Sequence, residues 1–416
     1  MKIILSHPTG NANVRAALSG LNTEAALSEF HTTIASFPKS FLGRLGGFNA
    51  FSEVARRSFN PVLQSITNMH PLYEVCRMMC GKAGLRKLIK QETGIFSIDA
   101  VYSQLDKAVT KALYSSIKNG NKFDGVYAYE DGAIESFLAA KKLGLKCFYD
   151  LPIGYWKTSR MLLNKEAEKW PEWAPTLTGL TDSTEKLKRK DKELQLADRI
   201  FVASSFTAKS LQKFEGILAP IEIIPYGFPA VTENKIHFTS SKGPLKILFV
   251  GGLSQRKGIA ELFTAANYFG KQVSLTVVGK KVTHDCKVLD QQLNIHRWIS
   301  GLPHEDILAL MRMNDVLIFP SLFEGFGLVI SEAMSQGTPV ITTERTAGPD
   351  IINDGENGWL INAGSTDALI AAIENILLNR ASLFKVGKAA MQTAKGRPWD
   401  KYGKELAEAI IRSLNK

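Results

Sequence analysis

Apolar residues along this chain occur in short runs, each followed by a longer segment in which apolar residues recur at helical spacing. In the first part of the chain the runs lie at residues 2–5, 125–128, 146–149, 199–202 and 221–224. Short apolar strands that alternate with helices are typical of a parallel α/β sheet. The pattern therefore predicts one doubly wound domain. Residues 30–115 follow no regular pattern and contain Gly43, Gly46 and Gly47.

A polar segment separates this region from a second series of apolar runs. Residues 232–235 and 239–244 are rich in Thr, Ser and Lys and end in Gly-Pro, which is typical of a linker. Further runs then lie at residues 246–250, 274–278, 316–319 and 339–342, with helical patterns between them. The second series predicts a second doubly wound domain.

These patterns divide the chain into three parts. We expect a first domain at residues 1–240, a second domain at residues 241–396, and a terminal segment at residues 397–416. The terminal segment contains a predicted helix from about Lys401 to Leu414. Its apolar residues lie on one stripe, so the helix must pack against another element.

Composition limits the classes to which the chain can belong. Its 416 residues are 45% apolar and 22% charged, as in ordinary globular proteins, which excludes long disorder and fibrous repeats. No run approaches the ~20 apolar residues that span a bilayer, and the run at residues 2–5 is too short for a signal peptide. The four cysteines are too few and too scattered for a disulfide framework. We expect a cytoplasmic protein.

The chain is basic, and the surplus is uneven. Lys and Arg number 51 against 40 Asp and Glu, a net charge of +11. Residues 1–240 hold 31 basic and 23 acidic residues, which is a surplus of +8. Because basic residues are interspersed with acids and no nucleic-acid-binding module is present, we expect no nucleic-acid partner. An anionic membrane surface, or an acidic or phosphorylated substrate, remains the hypothesis for this surplus.

A glycine turn and two cations follow the first strand of the second domain. Gly251 and Gly252 come directly after the strand, and Arg256 and Lys257 precede the next helix. Free backbone N–H groups at such a turn bind anions, and the two side chains add positive charge. The segment has the outline of a diphosphate site, although a plain tight turn gives the same glycines. In the first domain Gly10 holds the corresponding place.

A second segment, at residues 320–341, is more informative. Glu324 lies in a predicted glycine loop, and Glu332 lies on the helix that follows. A carboxylate accepts hydrogen bonds from both hydroxyls of a vicinal diol, which sugars and ribose present. Gly325 and Gly327 between the glutamates let backbone amides approach a phosphate and a sugar together.

In combination these segments resemble glycosyltransferase family 4, the retaining enzymes of the GT-B fold. The resemblance rests on residues 324–339, on Arg256-Lys257-Gly258, and on residues 300–305 and 224–227. It implies two Rossmann-like domains that face a deep cleft. The second domain would hold a nucleotide-sugar donor, the first would hold the acceptor, and the last helix would cross back to the first domain.

The resemblance also implies a role for each matching residue. Glu324 would bind the transferred sugar and serve catalysis, and Glu332 would bind the donor ribose. The remaining donor contacts would come from Gly10, Gly251, Gly252, Arg256 and Lys257 for the diphosphate, from Gly325, Phe326, Gly327 and Leu328 for sugar and phosphate, and from Ser300, Gly301 and Leu302 for the base. We expect no metal and no other cofactor, because cations and helix N-termini stabilise the departing diphosphate.

Two departures from the family pattern matter. Many relatives have an arginine where this chain has Gly252. Many also have a histidine at the end of the fourth strand of the first domain, where this chain reads Phe-Tyr-Asp-Leu-Pro. Asp150 is the candidate catalytic replacement, with Tyr149 as an alternative and a purely structural role as another. Glu130 and Asp131 form a second candidate acid pair, for which a simple turn is the competing interpretation.

The sequence thus predicts a retaining, metal-independent hexosyltransferase. It would move a sugar from a nucleoside diphosphate to a hydroxyl of a glycan, lipid-linked or small-molecule acceptor. Two alternatives stay open: a catalytically silent nucleotide-sugar-binding or scaffolding protein in a glycan-assembly complex, and a GT-B epimerase or hydrolase that acts on the nucleotide sugar.

Overall fold

The computed structural model describes residues 1–38, 57–120, 122–231 and 243–415. The glycines at positions 43, 46 and 47 and most of the predicted linker lie outside these residues. The predicted domain boundary at residue 240 also lies outside them, so it stays a prediction.

The first half of the chain forms a parallel sheet. Its strands are β1 (Ile3–Ser6), β2 (Leu27–Thr32), β3 (Thr67–Met69), β4 (Gly125–Tyr129), β5 (Lys146–Leu151), β6 (Arg199–Val202) and β7 (Ile221–Ile223). Their spatial order is β3-β2-β1-β4-β5-β6-β7. The five strands predicted from apolar runs are confirmed. β2 and β3 lie where the sequence pattern predicted no strand.

The second half forms another parallel sheet. Its strands are β8 (Leu245–Val250), β9 (Val273–Val278), β10 (Arg297–Ile299), β11 (Val316–Phe319), β12 (Val340–Thr343) and β13 (Trp359–Ile361). Their spatial order is β10-β9-β8-β11-β12-β13. The four predicted strands are confirmed, and β10 and β13 at the two edges are additional.

Helices connect the strands and cover the sheets. They are α1 (Ala12–Thr23), α2 (Leu72–Lys82), α3 (Ile98–Lys118), α4 (Ile134–Lys142), α5 (Trp156–Lys169), α6 (Thr184–Leu196), α7 (Ser205–Ser210), α8 (Ile259–Phe269), α9 (Lys287–Ile295), α10 (His304–Met313), α11 (Leu328–Ser335), α12 (Gly348–Ile351), α13 (Thr366–Leu378), α14 (Ser382–Lys395) and α15 (Trp399–Leu414). The central strands are buried on both faces, which is why they appear in the sequence as continuous apolar runs.

Both sheets reverse their strand order at one point. In the first sheet the reversal lies between β1 and β4, and in the second it lies between β8 and β11. The loops after two such strands run to opposite sides and open a crevice at the carboxyl ends. Each domain therefore offers one crevice, and the residues directly after these four strands form it.

The terminal helix returns to the first domain, as expected. α15 packs on α1 at a point where two glycines face each other: a Cβ atom on Gly20 would lie 2.0 Å from the Gly403 carbonyl oxygen, and one on Gly403 would lie 2.2 Å from that of Ala16. The predicted apolar stripe is buried there, including Leu406 and Ile410. Together the two sheets and the returning helix form a GT-B fold.

Polar contacts join the two domains beside the crevice. The Ser254 hydroxyl donates to the Thr176 carbonyl oxygen at 2.6 Å, and the Gln255 backbone N–H donates to the Thr176 hydroxyl at 2.8 Å. On α8, the buried Glu261 carboxylate forms an ion pair with the Lys169 ammonium, with 3.1 Å between Oε1 and Nζ. These contacts hold the turn after β8 against the first domain.

Candidate active site

The crevices of the two domains meet in one cavity of about 570 Å³. Its lining comprises His7, Asn11, Asn13, Tyr102, Tyr129, Glu130, Pro152 and Tyr226 from the first domain, and Val250, Gly251, Gly252, Arg256, Lys257, Phe319, Glu324, Phe326, Gly327, Leu328, Val329 and Glu332 from the second. We call these two sets the first wall and the second wall. Most of the residues predicted for the donor site lie in the second wall.

The turn after β8 presents two cations to the cavity. Arg256 and Lys257 lie on a short 3₁₀ turn, Gln255–Lys257, that ends at Gly258. Gly258 has a φ of +70°, and a Cβ atom there would lie 2.1 Å from the Pro320 carbonyl oxygen. Only glycine fits this left-handed position and close approach. The turn thereby fixes both cations beside the loop that follows β11.

Glu324 is the partner of both cations. The Lys257 ammonium contacts Glu324 Oε2, and the Arg256 guanidinium lies 3.3 Å from the same oxygen. Arg256 also donates to the Phe323 carbonyl oxygen at 2.8 Å. Burial lowers the pKa of Arg256 to about 10 and lowers the pKa of Lys257 as well. The Glu324 carboxylate neutralises part of the positive charge of these two cations, which are shielded from water in the cavity.

The glycine loop between the two glutamates has two functions. Gly327, with a φ of +85°, is the N-cap residue of α11 and lines the cavity. Gly325 instead faces the first domain: its carbonyl oxygen accepts hydrogen bonds from the Ser204 and Thr207 hydroxyls, and a Cβ atom would lie 1.8 Å from the Pro152 carbonyl oxygen. The loop therefore joins the two domains at Gly325 and offers its backbone to the cavity from Phe326 onward.

Glu332 lies on α11 and lines the cavity. Burial raises the pKa of its carboxyl group, and His304, whose Nδ1 lies 3.8 Å from Oε1, acts in the opposite direction. The segment Ser300, Gly301 and Leu302 precedes His304 in a mostly exposed loop after β10. It is not part of the cavity lining, but His304 places it near Glu332.

The first wall is built from residues that lie far apart in the sequence. His7 follows β1, and its ring packs edge-on against Tyr129 at the end of β4, with 4.6 Å between ring centres. Burial lowers the pKa of His7 to about 4, so its ring is neutral at physiological pH. On α1, the Asn13 amide donates to the Tyr226 hydroxyl at 3.4 Å. The Tyr226 ring in turn packs at a tilt against the Phe326 ring of the second wall, with 5.1 Å between the ring centres.

Sequence reasoning did not select His7, Asn13 or Tyr226. A signal existed for His7, because it directly follows a buried strand at the end of the sheet where ligands bind. Asn13 and Tyr226 lie 213 positions apart, so their contact has no local signature. Glu130, a member of the second candidate acid pair predicted from the sequence, does line the cavity.

Three residues predicted for the site, Asp150, Tyr149 and Gly10, are not among the residues that line the cavity. The Asp150 side chain is 3% exposed, accepts a hydrogen bond from the Tyr127 hydroxyl, and is not among the lining residues. Burial raises its pKa to about 7. Tyr149 points the other way, to Glu193. Gly10 is buried against Phe59, whose ring a Cβ atom would approach to 2.6 Å.

The second wall carries cations and carboxylates, whereas the lining residues of the first wall carry hydroxyls, amides, a neutral imidazole and one carboxylate. The cations of the second wall suit an anion, and the mostly uncharged polar groups of the first wall suit a hydroxyl-bearing group beside it. In the described part of the chain no cluster of three or more His, Cys, Asp or Glu side chains is placed to hold a metal ion. No described helix is long and apolar enough to cross a membrane.

Part of the chain is similar in sequence to known glycosyltransferases. Residues 218–393 match the family model for glycosyl transferases group 1. A glycogen synthase of Mycobacterium tuberculosis is 27% identical over 201 residues, which are 46% of this chain and 48% of that protein. A GDP-mannose-dependent alpha-(1-6)-phosphatidylinositol monomannoside mannosyltransferase of the same species is 25% identical over 51% of this chain and 61% of its own. These alignments cover about half the length of the relatives.

Solved structures share the whole fold. Sucrose-phosphate synthase from Thermosynechococcus elongatus superposes with a TM-score of 0.66 at 16% identity, over 100% of this chain and 99% of its own. Anabaena HepE in complex with UDP-glucose superposes with a TM-score of 0.61 at 16% identity, over 99% and 100%. At this identity the similarity concerns the fold.

Proposed function

We propose that this chain, whose residues 218–393 match the family model for glycosyl transferases group 1, transfers a sugar from a nucleoside-diphosphate sugar to a hydroxyl of a glycan, lipid-linked or small-molecule acceptor. The observation that carries the proposal is a single cavity between the two domains of the GT-B fold. Arg256, Lys257, Glu324 and Glu332 all line this cavity. Relatives named as a glycogen synthase and a mannosyltransferase support a hexosyl group as the unit transferred.

The contacts of Glu324 suggest how the donor is received. In this structure its carboxylate is ion-paired with Arg256 and Lys257, the two cations that a diphosphate would bind. A diphosphate carries more charge and more acceptor oxygens than one carboxylate, so it displaces Glu324 from Arg256 and Lys257. The freed carboxylate then accepts hydrogen bonds from the sugar hydroxyls. Glu332 binds the ribose, and the segment 300–302 contacts the base.

We further propose that the reaction retains the anomeric configuration and needs no metal ion. Arg256, Lys257 and the N-terminus of α11 stabilise the negative charge that develops on the departing diphosphate. Because Asp150 does not line the cavity, we assign the acceptor proton to the leaving phosphate oxygen, which becomes basic as the glycosidic bond breaks.

A donor panel tests this proposal. Purified protein is incubated with UDP-, GDP- and ADP-sugars together with a panel of hydroxyl-bearing acceptors, with and without EDTA, and release of nucleoside diphosphate is measured. We expect release from one donor class, unaffected by EDTA, and lost in Glu324→Ala. Absence of turnover and of any thermal shift with the three diphosphates contradicts the proposal.

The same assay separates the alternatives. A silent binding protein gives a thermal shift without release, a hydrolase gives release that no acceptor increases, and an epimerase gives an isomeric nucleotide sugar. Product analysis by NMR of the anomeric proton distinguishes retention from inversion.

We also propose a cytoplasmic location with peripheral contact to an anionic membrane. Leu72, Val75 and Met79 are exposed on one side of α2, and Arg86 and Lys87 follow in an exposed segment. Apolar side chains next to cations suit an interface with anionic lipid. Co-sedimentation with vesicles, with and without anionic lipid at varied salt, tests this; salt-independent absence of binding contradicts it.

A further inference from the structure

The first wall differs from the second in its charge. Among the described residues that line it, none is Lys or Arg, and its one ionisable acid is Glu130. Two cations of the first domain are already paired: Arg57 contacts the Glu74 carboxylate, and Lys190 lies 3.2 Å from Glu130 itself. A wall that offers an anionic ligand no unpaired cation disfavours that ligand, because the ligand loses hydration without gaining a counter-charge. In the part of the first domain that the structure describes, the basic surplus therefore does not extend to the residues that line the cavity.

Glu130 is held in place by an unusual turn. Asp131, the next residue, has a φ of +72°, which is uncommon for a residue other than glycine. Glu193 accepts hydrogen bonds from the backbone N–H groups of Asp131 at 2.9 Å and Ala133 at 3.2 Å, and Arg189 donates to the Asp131 carboxylate at 2.7 Å. Surrounding contacts that maintain a strained turn often serve to position a functional side chain.

The other polar groups of this wall suit hydroxyl groups. The Tyr129 hydroxyl is buried and has no hydrogen-bond partner in the described part of the chain. His7 is neutral, and the Asn13 amide and Tyr226 hydroxyl can both donate and accept. A sugar ring, which presents several hydroxyls and apolar C–H faces, matches hydroxyls, amides and aromatic rings.

Resting on the proposed transferase function, we propose that the first wall selects an uncharged, polyhydroxylated acceptor and that Glu130 accepts hydrogen bonds from its hydroxyl groups. Glu130 is then a specificity-determining residue: it favours neutral sugars over phosphorylated ones. This replaces the expectation, drawn from the charge of the first domain, of an acidic or phosphorylated acceptor.

The test measures binding, so that it is independent of turnover. The protein is saturated with whichever nucleoside diphosphate gives the largest thermal shift, and saturation-transfer NMR compares methyl glucoside, galactoside and mannoside with their 6-phosphates. We expect one neutral glycoside to bind about tenfold or more tightly than its 6-phosphate, since the described residues of this wall offer the phosphate no unpaired cation in exchange for its lost hydration. Equal or tighter binding of the phosphates, or no binding of any neutral glycoside, overturns the proposal.

Variants connect the preference to Glu130. Glu130→Lys should reduce the preference at least about tenfold, and Glu130→Gln, which keeps the size, should reduce it by about threefold to tenfold. Lys190 keeps Asp131 at 3.5 Å and Asp182 at 3.9 Å, so Glu130→Gln leaves this cation paired. Glu135→Lys, the same charge change on the exposed side of α4, is the matched control. An unchanged preference in both Glu130 variants overturns the assignment.

The proposed function fails on different results. It fails when no diphosphate shifts the melting temperature and no donor is turned over. The acceptor proposal fails when diphosphate binding is intact but the glycosides show no neutral preference.

Discussion

The two walls of the cavity differ in how they are assembled. The second wall takes its charged residues from two short segments, one after β8 and one after β11, in which the chemistry lies close together in the sequence. The first wall collects His7, Asn13, Glu130 and Tyr226 from four separate segments. The two sheets have the same reversal of strand order, so the fold places both walls in the same way.

This difference has a physical basis. A diphosphate requires dense positive charge and free N–H groups, which one glycine turn with adjacent cations supplies. A neutral acceptor requires only shape and scattered hydrogen-bonding groups, which any loop near the crevice can contribute. The second wall therefore leaves a motif in the sequence, and the first wall leaves almost none.

Removal of one cation from the second wall should have the largest effect. We expect Lys257→Ala to lower the rate of donor turnover by about 100-fold or more, or about 3 kcal/mol, because this ammonium faces the developing charge of the diphosphate. Lys271→Ala, at an exposed site remote from the cavity, is the control. A loss of less than about tenfold would mean that Arg256 alone carries the phosphate contact.

The buried acid behind the first wall should affect stability more than turnover. Burial raises the pKa of Asp150 to about 7, whereas an unfolded chain releases this proton near pH ~4. Between these values the unfolded state loses its proton and the folded state keeps it, so the free energy of unfolding falls as pH rises.

We therefore expect Asp150→Asn to gain stability relative to the native chain, by on the order of 2–4 kcal/mol between pH ~4 and ~7, and to gain no more above that range. The Tyr127 hydroxyl still finds an acceptor oxygen on asparagine. Urea unfolding across this pH range measures it, with the exposed Asp285→Asn as control. Donor turnover should fall less than about tenfold; a loss above about 100-fold assigns Asp150 a catalytic role.

The same contrast explains what the sequence could predict. Eight of the nine predicted strands are recognisable because most of their residues are buried and form continuous apolar runs. The ninth, β7, was recognised from its apolar residues although they are exposed or half-buried at the sheet edge. β3 and β10 have only three residues each, and most of their side chains are half-buried or exposed. Such edge strands are defined by pairing with a neighbour, which no local pattern records.

The candidate site follows the same rule. Arg256, Lys257, Glu324 and Glu332 were identified from neighbouring residues. Asp150 was selected because many relatives have a histidine near the end of this strand. Side chains at successive positions of a strand point to opposite faces, however, and burial behind Tyr127 depends on the packed sheet. His7 and Tyr226 needed the topology before their proximity could be recognised.

The first wall depends on the docking of α15, and this dependence gives a smaller effect. In Gly403→Ala, the new Cβ atom would lie 2.2 Å from the Ala16 carbonyl oxygen on α1, the helix that carries Asn13. We expect a loss of about 1–3 kcal/mol in unfolding free energy. Affinity for UDP, GDP or ADP should not change, because the proposed diphosphate contacts come from the second wall and not from α1.

Thermal unfolding and calorimetric titration of the diphosphates measure the two quantities. Gly396→Ala is the matched control, since its Cβ atom would lie 3.4 Å from the Thr393 carbonyl oxygen and 3.8 Å from that of Gln392, which are ordinary van der Waals distances. Parallel loss of stability and diphosphate affinity would show that the two walls are coupled through α15.

The smallest expected effect is a gain in the second wall. Gly252 lines the cavity where many members of the family have an arginine, and its backbone does not have a positive φ. A Cβ atom there would lie 3.7 Å from Val282, so a Cβ atom fits without displacement of the described neighbours. Gly252→Arg adds a cation next to Arg256 and Lys257. We expect the dissociation constant of the bound diphosphate to fall by about threefold to tenfold, up to about 1.4 kcal/mol.

Titration of the diphosphate at low and high salt tests this, with Gly252→Ala as the control for the added Cβ atom. The gain should shrink at high salt, because an exposed cation is screened. Binding of neutral glycosides to the first wall should not change. A weaker diphosphate interaction in Gly252→Arg but not in Gly252→Ala would indicate that the new cation attracts Glu324 rather than the ligand, and that the second wall already holds as many cations as one carboxylate and one diphosphate can neutralise.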